Sequence, residues 1–343
     1  MTPIRMGVVG MGKIAVDQHL PAIAANPAFA LAATVERSAP ASATNFTSHS
    51  DMLAAADLID AVAITTPPGP RHAIARDCIA AGLNVLLEKP PTASLAEIDD
   101  LRELAAARGV SLFTTWHAQH NPAVVKAAAL LAGQRIRDMT IEWHEDVEKW
   151  HPGQRWIWEA GGFGVFDPGI NAFSIASAIF PGSLFVRRAS LAYPSGAHTP
   201  IAANIEFASP ASTGTLRCSL DWRYKAGEQW AIRVVTDSGT AVELLDGGAR
   251  LIVDGAAQSA AGIGEYPDIY RRFAELVEGR ESQVDSVPLR ADDRSGPGPL
   301  PETPQRVSSF ISRVMSVCSS VCGSSSVGAA TSMKVGTPPS PPY

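Results

Sequence analysis

The stretch IRMGVVGMGKIA, residues 4–15, predicts how the chain begins to fold. Its apolar, β-branched first half is typical of a buried strand, and the residues that follow have helical spacing. At the turn, Gly10 permits a sharp bend, Gly12 lets the backbone approach a pyrophosphate, and Ala15 allows close packing of helix on strand. A lone glycine pattern is often only a turn, but this one lies between a strand and a helix. It therefore indicates the first crossover of a dinucleotide-binding sheet.

The same alternation continues to about residue 121. Strand-like runs at 31–35, 61–65, 84–87 and 111–114 alternate with helical runs at 51–56, 71–81 and 95–107. Such a succession predicts a parallel sheet with helices on both faces. Gly82 and Gly109 fall just past two of the helical runs, where a left-handed cap is expected. Residues 1–121 are therefore predicted to form a doubly wound Rossmann domain.

Beyond residue 122 extended segments follow one another. They are expected at 136–143, 185–192, 201–207, 214–222, 230–236, 241–245 and 250–253, with helices at 123–131, 168–179 and 266–278. Successive strands with hairpin-like breaks indicate a mostly antiparallel sheet. The fold class predicted is thus α/β, with a C-terminal α+β domain built on an open, mostly antiparallel sheet over residues 122–290. The last helix is expected to close this domain.

The remaining residues, 291–343, differ in composition. They are rich in Ser, Pro and Gly, and poor in large apolar residues, so we expect them to be mostly disordered. An out-of-frame reading of an original ending would produce such an abrupt change after Arg290. We keep that origin as a hypothesis, which an intact-protein mass and genomic sequencing would test.

Composition narrows the choice of ligand. The 343 residues carry a formal net charge of −6 with scattered Lys and Arg, which argues against nucleic acid and favours a small molecule. The N-terminus lacks the pattern of an export signal, and no stretch reads as a transmembrane helix, so a cytoplasmic location is expected. The four cysteines show no zinc-site spacing, and no metal is expected.

The second strand ends in Glu36, about two dozen residues after Gly12, where a ribose-binding acid is expected. A carboxylate there would accept both ribose hydroxyls and repel a 2′-phosphate, which favours NAD. Arg37 and Ser38 are what an NADP site would use, so NADP stays possible. Glu36 could also be only a solvated residue at a strand end. Thr66 and its neighbouring prolines end the third strand and would line the same crevice.

Two segments carry the candidate chemistry. LLEKPP, residues 86–91, ends the fourth strand, where open α/β sheets bind ligands, so Lys89 is expected in the cleft rather than on a surface loop. In the second segment, Asp167 precedes a proline, which would make it a helix N-cap and place Asn171 one turn later on the same face. A capping Asp is often purely structural. The glycine-rich approach to it is expected where backbone comes close to a ligand.

Between these segments lies a loop with four tryptophans, within residues 142–158. Mixed with acids and histidines, they offer what sugar rings need: aromatic faces for apolar faces, and carboxylates for hydroxyls. Core packing could account for some of these tryptophans, so the four together are a stronger indication of sugar binding than any one of them.

Five segments together resemble the Gfo/Idh/MocA oxidoreductase family and, within it, the bacterial galactose and L-arabinose 1-dehydrogenase group. They are GVVGMGKIA (7–15), LEKPP (87–91), TWH (115–117), EDVEKWHPGQRWIW (145–158) and GVFDPGINA (164–172). The resemblance runs from Ile4 to about Arg290, and the tryptophan-rich loop is not a general feature of the family. It implies an NAD(P)-dependent enzyme, commonly a homodimer or homotetramer assembled through the open sheets.

The resemblance also implies roles for individual residues. The catalytic set would be Lys89, Asp167 and Asn171, with Asn171 standing where inositol dehydrogenase-like members have His. The cofactor set would be Gly10, Gly12, Lys13, Ile14, Glu36, Arg37, Ser38, Thr66, Pro67, Glu88 and Lys89. The substrate set would be Lys89, Trp116, His117, Glu145, Trp150, His151, Asp167 and Asn171.

The implied reaction is oxidation of C1 of an aldopyranose, such as galactose, arabinose or fucose, to its lactone. Asp167 is favoured as the base with Lys89 as its electrostatic partner, and a neutral Lys89 as base stays open. The alternatives are another aldose or inositol dehydrogenase, or a dinucleotide-binding regulator of the same fold without turnover.

Overall fold

The computed structural model describes residues 2–36, 44–159 and 162–286, together with residue 288 and the backbone of 305–306. Two sheets organise these residues. The expectations for Arg37, Ser38 and nearly all of the 291–343 segment lie outside the described residues. Within the described part, no helix is long and apolar enough to cross a lipid bilayer.

The first sheet has six strands, every neighbouring pair parallel, in the order β3-β2-β1-β4-β5-β6. Its strands are β1 (Ile4–Val9), β2 (Phe29–Val35), β3 (Asn45–Phe46), β4 (Ala61–Ile64), β5 (Asn84–Leu87) and β6 (Leu112–Thr114). This confirms the predicted doubly wound sheet. Chain order reverses between β1 and β4, so their carboxyl ends open the crevice in which such folds bind ligands.

Helices cover both faces of this sheet. A π-helical turn (Ala15–His19) runs into α1 (Leu20–Ala25), and α2 (His49–Ala54), α3 (Pro68–Ala80) and α4 (Leu95–Arg108) follow. Gly82 and Gly109 have φ of 86° and 66°, as predicted for left-handed positions after α3 and α4. The two-residue strand β3 was not predicted, because so short a run shows no periodicity.

The second sheet has nine strands in the order β14-β13-β12-β11-β7-β10-β9-β8-β15. Among the described strands of this second sheet, only β7 and β10 pair in parallel, which confirms a mostly antiparallel sheet. The strands are β7 (Ile136–His144), β8 (Phe185–Ala192), β9 (Ala202–Ala208), β10 (Leu216–Asp221), β11 (Gln229–Thr236), β12 (Ala241–Leu245), β13 (Arg250–Val253), β14 (Ala256–Gln258) and β15 (Gln305–Arg306). The helices in this half are α5 (Pro122–Leu131), α6 (Val147–Trp150), α7 (Phe166–Ile179) and α8 (Glu265–Gly279).

Helices α5 and α7 cover one face of the second sheet and share its apolar core. Helix α7 lies especially close, because a Cβ at Gly169 would be only 2.6 Å from Leu220 Cδ1 of β10. The helix that carries Asp167 is therefore held firmly against the sheet.

Helix α8 does not pack as expected. It was predicted to close the second domain, but Tyr266, Tyr270 and Phe273 join the core of the first sheet beside Met6 and Phe113. An amphipathic helix buries its apolar face, but the pattern along the helix does not determine which sheet receives that face. The predicted limits, 1–121, 122–290 and 291–343, stay predictions.

The start of α7 also differs from the prediction. The helix begins at Phe166 with Val165 as its N-cap, so Asp167 lies inside the first turn and is not the cap. Gly164, at φ 53°, already turns the chain, and its carbonyl accepts the Asp167 N–H at 2.9 Å. The Asp167 side chain is consequently not used for capping. Asn171 still follows four residues later on the same helix.

Candidate active site

In the turn after β1, Gly10 and Gly12 are glycines for two different reasons. Gly10 has φ of 98°, and a Cβ there would lie 2.9 Å from the Thr66 backbone nitrogen, so only glycine suits this position. At Gly12, by contrast, a Cβ would meet no heavy atom of the described residues within 4 Å. The space beside Gly12 is therefore open to a ligand.

Thr66 and Pro67 follow β4 on the other side of this turn. The Thr66 hydroxyl is buried and has no hydrogen-bond partner among the described residues. A buried polar atom without a partner is costly and commonly marks a ligand contact. The open space at Gly12 and this hydroxyl fit a bound dinucleotide, which Gly10, Gly12, Thr66 and Pro67 would hold.

Glu36 directly follows β2, next to the turn. Its N–H donates to the Phe46 carbonyl at 3.0 Å, and the preceding Val35 carbonyl accepts the Gly10 N–H at 3.1 Å. This places Glu36 beside the glycine turn, as a ribose-binding acid requires. Lys13 is exposed and pairs with Asp17, while Ile14 lies at the start of the helix.

Lys89 follows β5 at the carboxyl edge of the first sheet, and its ammonium faces Asp167 of α7. Nζ lies 3.2 Å from the Asp167 main-chain oxygen and 3.5 Å from Oδ1. Both side chains are largely buried, at 17% and 15% exposed. The predicted catalytic pair is thus brought together between the two sheets.

His151, from the loop after α6, contacts the other oxygen of the same carboxylate. Its Nε2 lies 3.4 Å from Asp167 Oδ2. Burial by itself would raise the pKa of Asp167, but the Lys89 ammonium and the His151 ring outweigh it and hold that pKa below its usual range. Burial would lower the pKa of His151, but the hydrogen bond to Asp167 outweighs it and the net pKa is raised.

Glu145 is close to this group but already engaged. It is buried, and its two carboxylate oxygens accept the indole N–H groups of Trp222 at 3.0 Å and Trp230 at 2.8 Å. Burial raises the pKa of Glu145 despite these two donors. The ring of Trp222 in turn lies 5.2 Å from the ring of His151. Glu145 therefore holds the aromatic wall beside His151.

Three other predicted sugar contacts interact with groups outside the Lys89–Asp167–His151 cluster. Trp116 is 2% exposed and donates its indole N–H to the Asp285 carbonyl at 2.7 Å, so it is a core residue. His117 contacts Glu265 at 2.9 Å and stacks on Tyr266. Trp150 is 41% exposed, and its indole N–H contacts Glu228 at 3.2 Å.

Asn171 is partly buried on α7, one turn after Asp167. Its backbone carbonyl accepts the Ser174 hydroxyl at 2.8 Å. The helix spacing thus places its side chain on the same face as the Asp167 carboxylate, as the sequence predicted.

The glycine-rich entry to α7 has a different cause from the one predicted. A Cβ at Gly162 would collide with the Trp156 carbonyl oxygen, and one at Gly164 with the Pro200 carbonyl oxygen. These glycines make room for other protein backbone and not for a ligand, because the segment threads between the loops around 157 and 200.

The sequence reasoning missed the residues that hold the Glu88-Lys89 segment. Glu88 is buried; its Oε1 accepts the Tyr266 hydroxyl at 2.5 Å and lies 3.3 Å from His19 Nε2, while Oε2 accepts the Lys89 N–H at 2.7 Å. Burial would raise the pKa of Glu88, but His19 and the Tyr266 hydroxyl outweigh it and lower the pKa to about 2.

Arg71 secures the same segment from the other side. Its buried guanidinium donates to the main-chain carbonyls of Thr66, Glu88 and Pro90. Burial lowers the pKa of Arg71 to about 10. Arg71 occupies a helix and Tyr266 lies far away in the chain, so neither showed a local sequence signal.

The chain is similar to known oxidoreductases. Residues 4–115 match the Gfo/Idh/MocA family model, described as an oxidoreductase family with an NAD-binding Rossmann fold. The chain is 43% identical over 293 residues to a galactose 1-dehydrogenase of Pseudomonas fluorescens, covering 84% of this chain and 94% of that protein.

Two solved structures are also similar. A D-galactose-1-dehydrogenase protein from Rhizobium etli is 44% identical with a TM-score of 0.79, covering 84% of this chain and 93% of that one. An inositol dehydrogenase homologue from Azotobacter vinelandii complexed with NAD+ shares the fold at 19% identity and a TM-score of 0.68, covering 81% of this chain and 87% of that one. The chain therefore belongs to the Gfo/Idh/MocA oxidoreductase family, with its NAD-binding Rossmann fold.

Proposed function

We propose that this chain is an aldose 1-dehydrogenase that oxidises C1 of a galacto-configured pyranose to the lactone with NAD, with NADP as a possible second cofactor. The observation that carries the proposal is the meeting of Lys89 and Asp167 at the carboxyl edge of the first sheet, beside the aromatic loop. Two similar proteins are named for galactose 1-dehydrogenation at 43% and 44% identity. Galactose is the first candidate substrate, followed by arabinose and fucose.

The residues suit removal of a hydroxyl proton. The bound nicotinamide supplies the acceptor for the hydride that leaves C1. Asp167 is an ionised acceptor, because its pKa lies below the usual range. Lys89 is a hydrogen-bond donor at the same point and stabilises negative charge that develops on O1. Asn171, one turn along the helix, is placed to orient the sugar.

The wall around this centre is aromatic. Trp222, held by Glu145, is fully buried and packs against Trp158. The partly buried rings of Trp156 and Trp158 in the 142–158 loop offer apolar faces to a pyranose ring. Trp116 is left out of the proposed contact set because it is buried in the core. His151 and the exposed Trp150 stay in the proposed contact set, and His117 is kept as a peripheral member of it.

The experiment is reduction of NAD and NADP by purified protein, followed by absorbance, with galactose, arabinose, fucose, glucose, xylose and inositol in turn. The Asp167→Asn variant is the matched control. We expect reduction with the galacto-configured sugars and little with glucose or inositol. A faster reaction with inositol would point to the inositol dehydrogenase alternative. Saturable cofactor binding without reduction by any sugar would contradict the proposal and favour a regulator.

We also propose that the chain assembles as a homodimer or homotetramer through the second sheet. Its strands bury alternate residues under α5 and α7, whereas the opposite face exposes residues such as Thr140 and Arg217. No described helix covers that face. Light scattering of the purified protein would test this, and a monomeric mass would overturn it.

A further inference from the structure

His151 lies between the Asp167 carboxylate and a cavity of about 500 Å³. The cavity is bounded by two loops and is lined by both nonpolar and polar groups. Its lining includes Glu148, His151, Gln154, Arg155, Trp158 and Ser195. The imidazole is therefore the group that separates the candidate catalytic carboxylate from a space large enough for several water molecules.

Both nitrogens of the His151 ring face acceptors: Nδ1 lies 3.2 Å from Gln154 Oε1 and Nε2 lies 3.4 Å from Asp167 Oδ2. A neutral ring carries one N–H and so leaves one lone pair facing an acceptor, which is unfavourable. The imidazolium donates to both acceptors. When the single proton of the neutral ring is on Nδ1, Nε2 is therefore placed to take up a second proton from the carboxylate.

We propose that His151 is the proton relay of the dehydrogenation: it draws the proton of the sugar O1 hydroxyl from Asp167 and releases it to water in the cavity. The inference rests on the proposed function and deepens it. The O1–H bond breaks and C1–O1 becomes a carbonyl, while the C1 hydride goes with its electron pair to the oxidised nicotinamide. The proton passes to Asp167 Oδ2, then to His151 Nε2, and finally to water.

The charges around the ring suit this role. Asp167 from α7 favours the imidazolium, while burial and Lys89, after β5, oppose it. Glu145, after β7, also interacts electrostatically with the ring. The remaining surface is formed by the rings of Trp156 and Trp222 and by the cavity residues Glu148 and Arg155. The imidazole can thus gain and lose a proton without leaving its position.

A relay predicts a specific pH dependence. The neutral ring accepts the proton, so kcat/KM should fall as pH drops below the pKa of His151. In His151→Gln an amide can keep the hydrogen bond but cannot carry a proton. We expect kcat to fall at least about tenfold, with the sugar KM changed by less than about threefold, and the acid limb to be lost. His49→Gln, a surface histidine paired with Asp77 on the helical layer, is the control and should keep the full profile.

Two further measurements separate the relay from a packing role. Added imidazole should restore part of the activity of His151→Ala, because the cavity admits a small base. In histidine NMR titrations, Asp167→Asn should lower the pKa of His151, because the hydrogen bond and the negative charge that raise it are lost. This readout does not depend on turnover.

The outcomes are distinct. If the unsubstituted protein reduces neither cofactor with any sugar, the proposed function fails and the relay fails with it. If it is active but His151→Gln keeps the acid limb and imidazole does not rescue His151→Ala, the relay alone is overturned. Equal His151 titration in the unsubstituted and Asp167→Asn proteins would also overturn it.

Discussion

Lys89 Nζ lies 3.2 Å from the main-chain oxygen and 3.5 Å from Oδ1 of Asp167, although 78 positions separate the two residues in the chain. One follows a strand of the parallel sheet and the other begins a helix packed on the antiparallel sheet. The proposed reaction centre is therefore formed by residues from both sheets.

This pair leads to the first prediction. Asp167→Asn and Lys89→Met should each lower kcat by about 10²–10⁴, since one removes the proton acceptor and the other the charge beside it. For Asp167→Asn we expect the affinity for NAD to change by less than about threefold, measured by fluorescence titration. Lys126→Met is the control, since Lys126 contacts Gln258 and Ser259 in the second domain. Normal turnover in either variant would remove that residue from the mechanism.

The choice of cofactor gives a second prediction. Glu36 directly follows β2 beside the glycine turn, where its charge would oppose a 2′-phosphate. Glu36→Ala should shift the ratio of kcat/KM for NAD to that for NADP by about tenfold or more towards NADP, because it removes the charge that repels the 2′-phosphate; tenfold corresponds to about 1.4 kcal/mol. Glu103→Ala, on the outer face of α4, should leave the ratio unchanged. An unaltered ratio in Glu36→Ala would mean that Glu36 does not face the ribose.

Glu88 gives a prediction for stability against pH. Its pKa in the folded protein is about 2, against 4.5 for the ordinary side chain. Because the pKa of Glu88 is lower in the folded protein, the carboxylate contributes its full stabilisation at pH values above 4.5. That contribution is lost as pH falls from about 4.5 towards 2. Glu88→Gln should lower the free energy of unfolding by about 1–3 kcal/mol at pH 7.

The difference in the free energy of unfolding between the unsubstituted protein and Glu88→Gln should become smaller at acid pH. Urea unfolding at pH 7, 4 and 3 would follow it, with Glu103→Gln as a matched exposed control. A difference that stays constant over this range would show that the Glu88 carboxylate is not stabilised by its His19 and Tyr266 partners.

Gly164 gives a prediction for the approach to α7. Gly164→Ala strains a left-handed backbone and also brings a Cβ against the Pro200 carbonyl oxygen. Gly196→Ala strains the backbone at φ 74° but meets no described atom within 4 Å. We expect about 1–2 kcal/mol of destabilisation for Gly196→Ala and a further 1–3 kcal/mol or so for Gly164→Ala. Equal thermal shifts would contradict the close contact with the loop around residue 200.

Much of the first sheet could be predicted from local patterns. β-Branched runs, glycine caps at 82 and 109, and the turn at Gly10 each depend on neighbouring residues, so the sequence alone indicates them. The position of Lys89 at a strand end was predicted in the same way. These features follow from backbone geometry and burial, which act over a few residues.

Local patterns were thus enough to predict the doubly wound sheet, the glycine turn and the residue types available for sugar chemistry. Long-range packing, by contrast, placed α8 on the parallel sheet, buried Trp116 in the core and brought His151 to Asp167. It also brought Tyr266 and His19 into contact with the Glu88 carboxylate. These contacts join residues that are far apart in the chain. They form only when the two sheets and their helices pack together, so local sequence patterns cannot predict them.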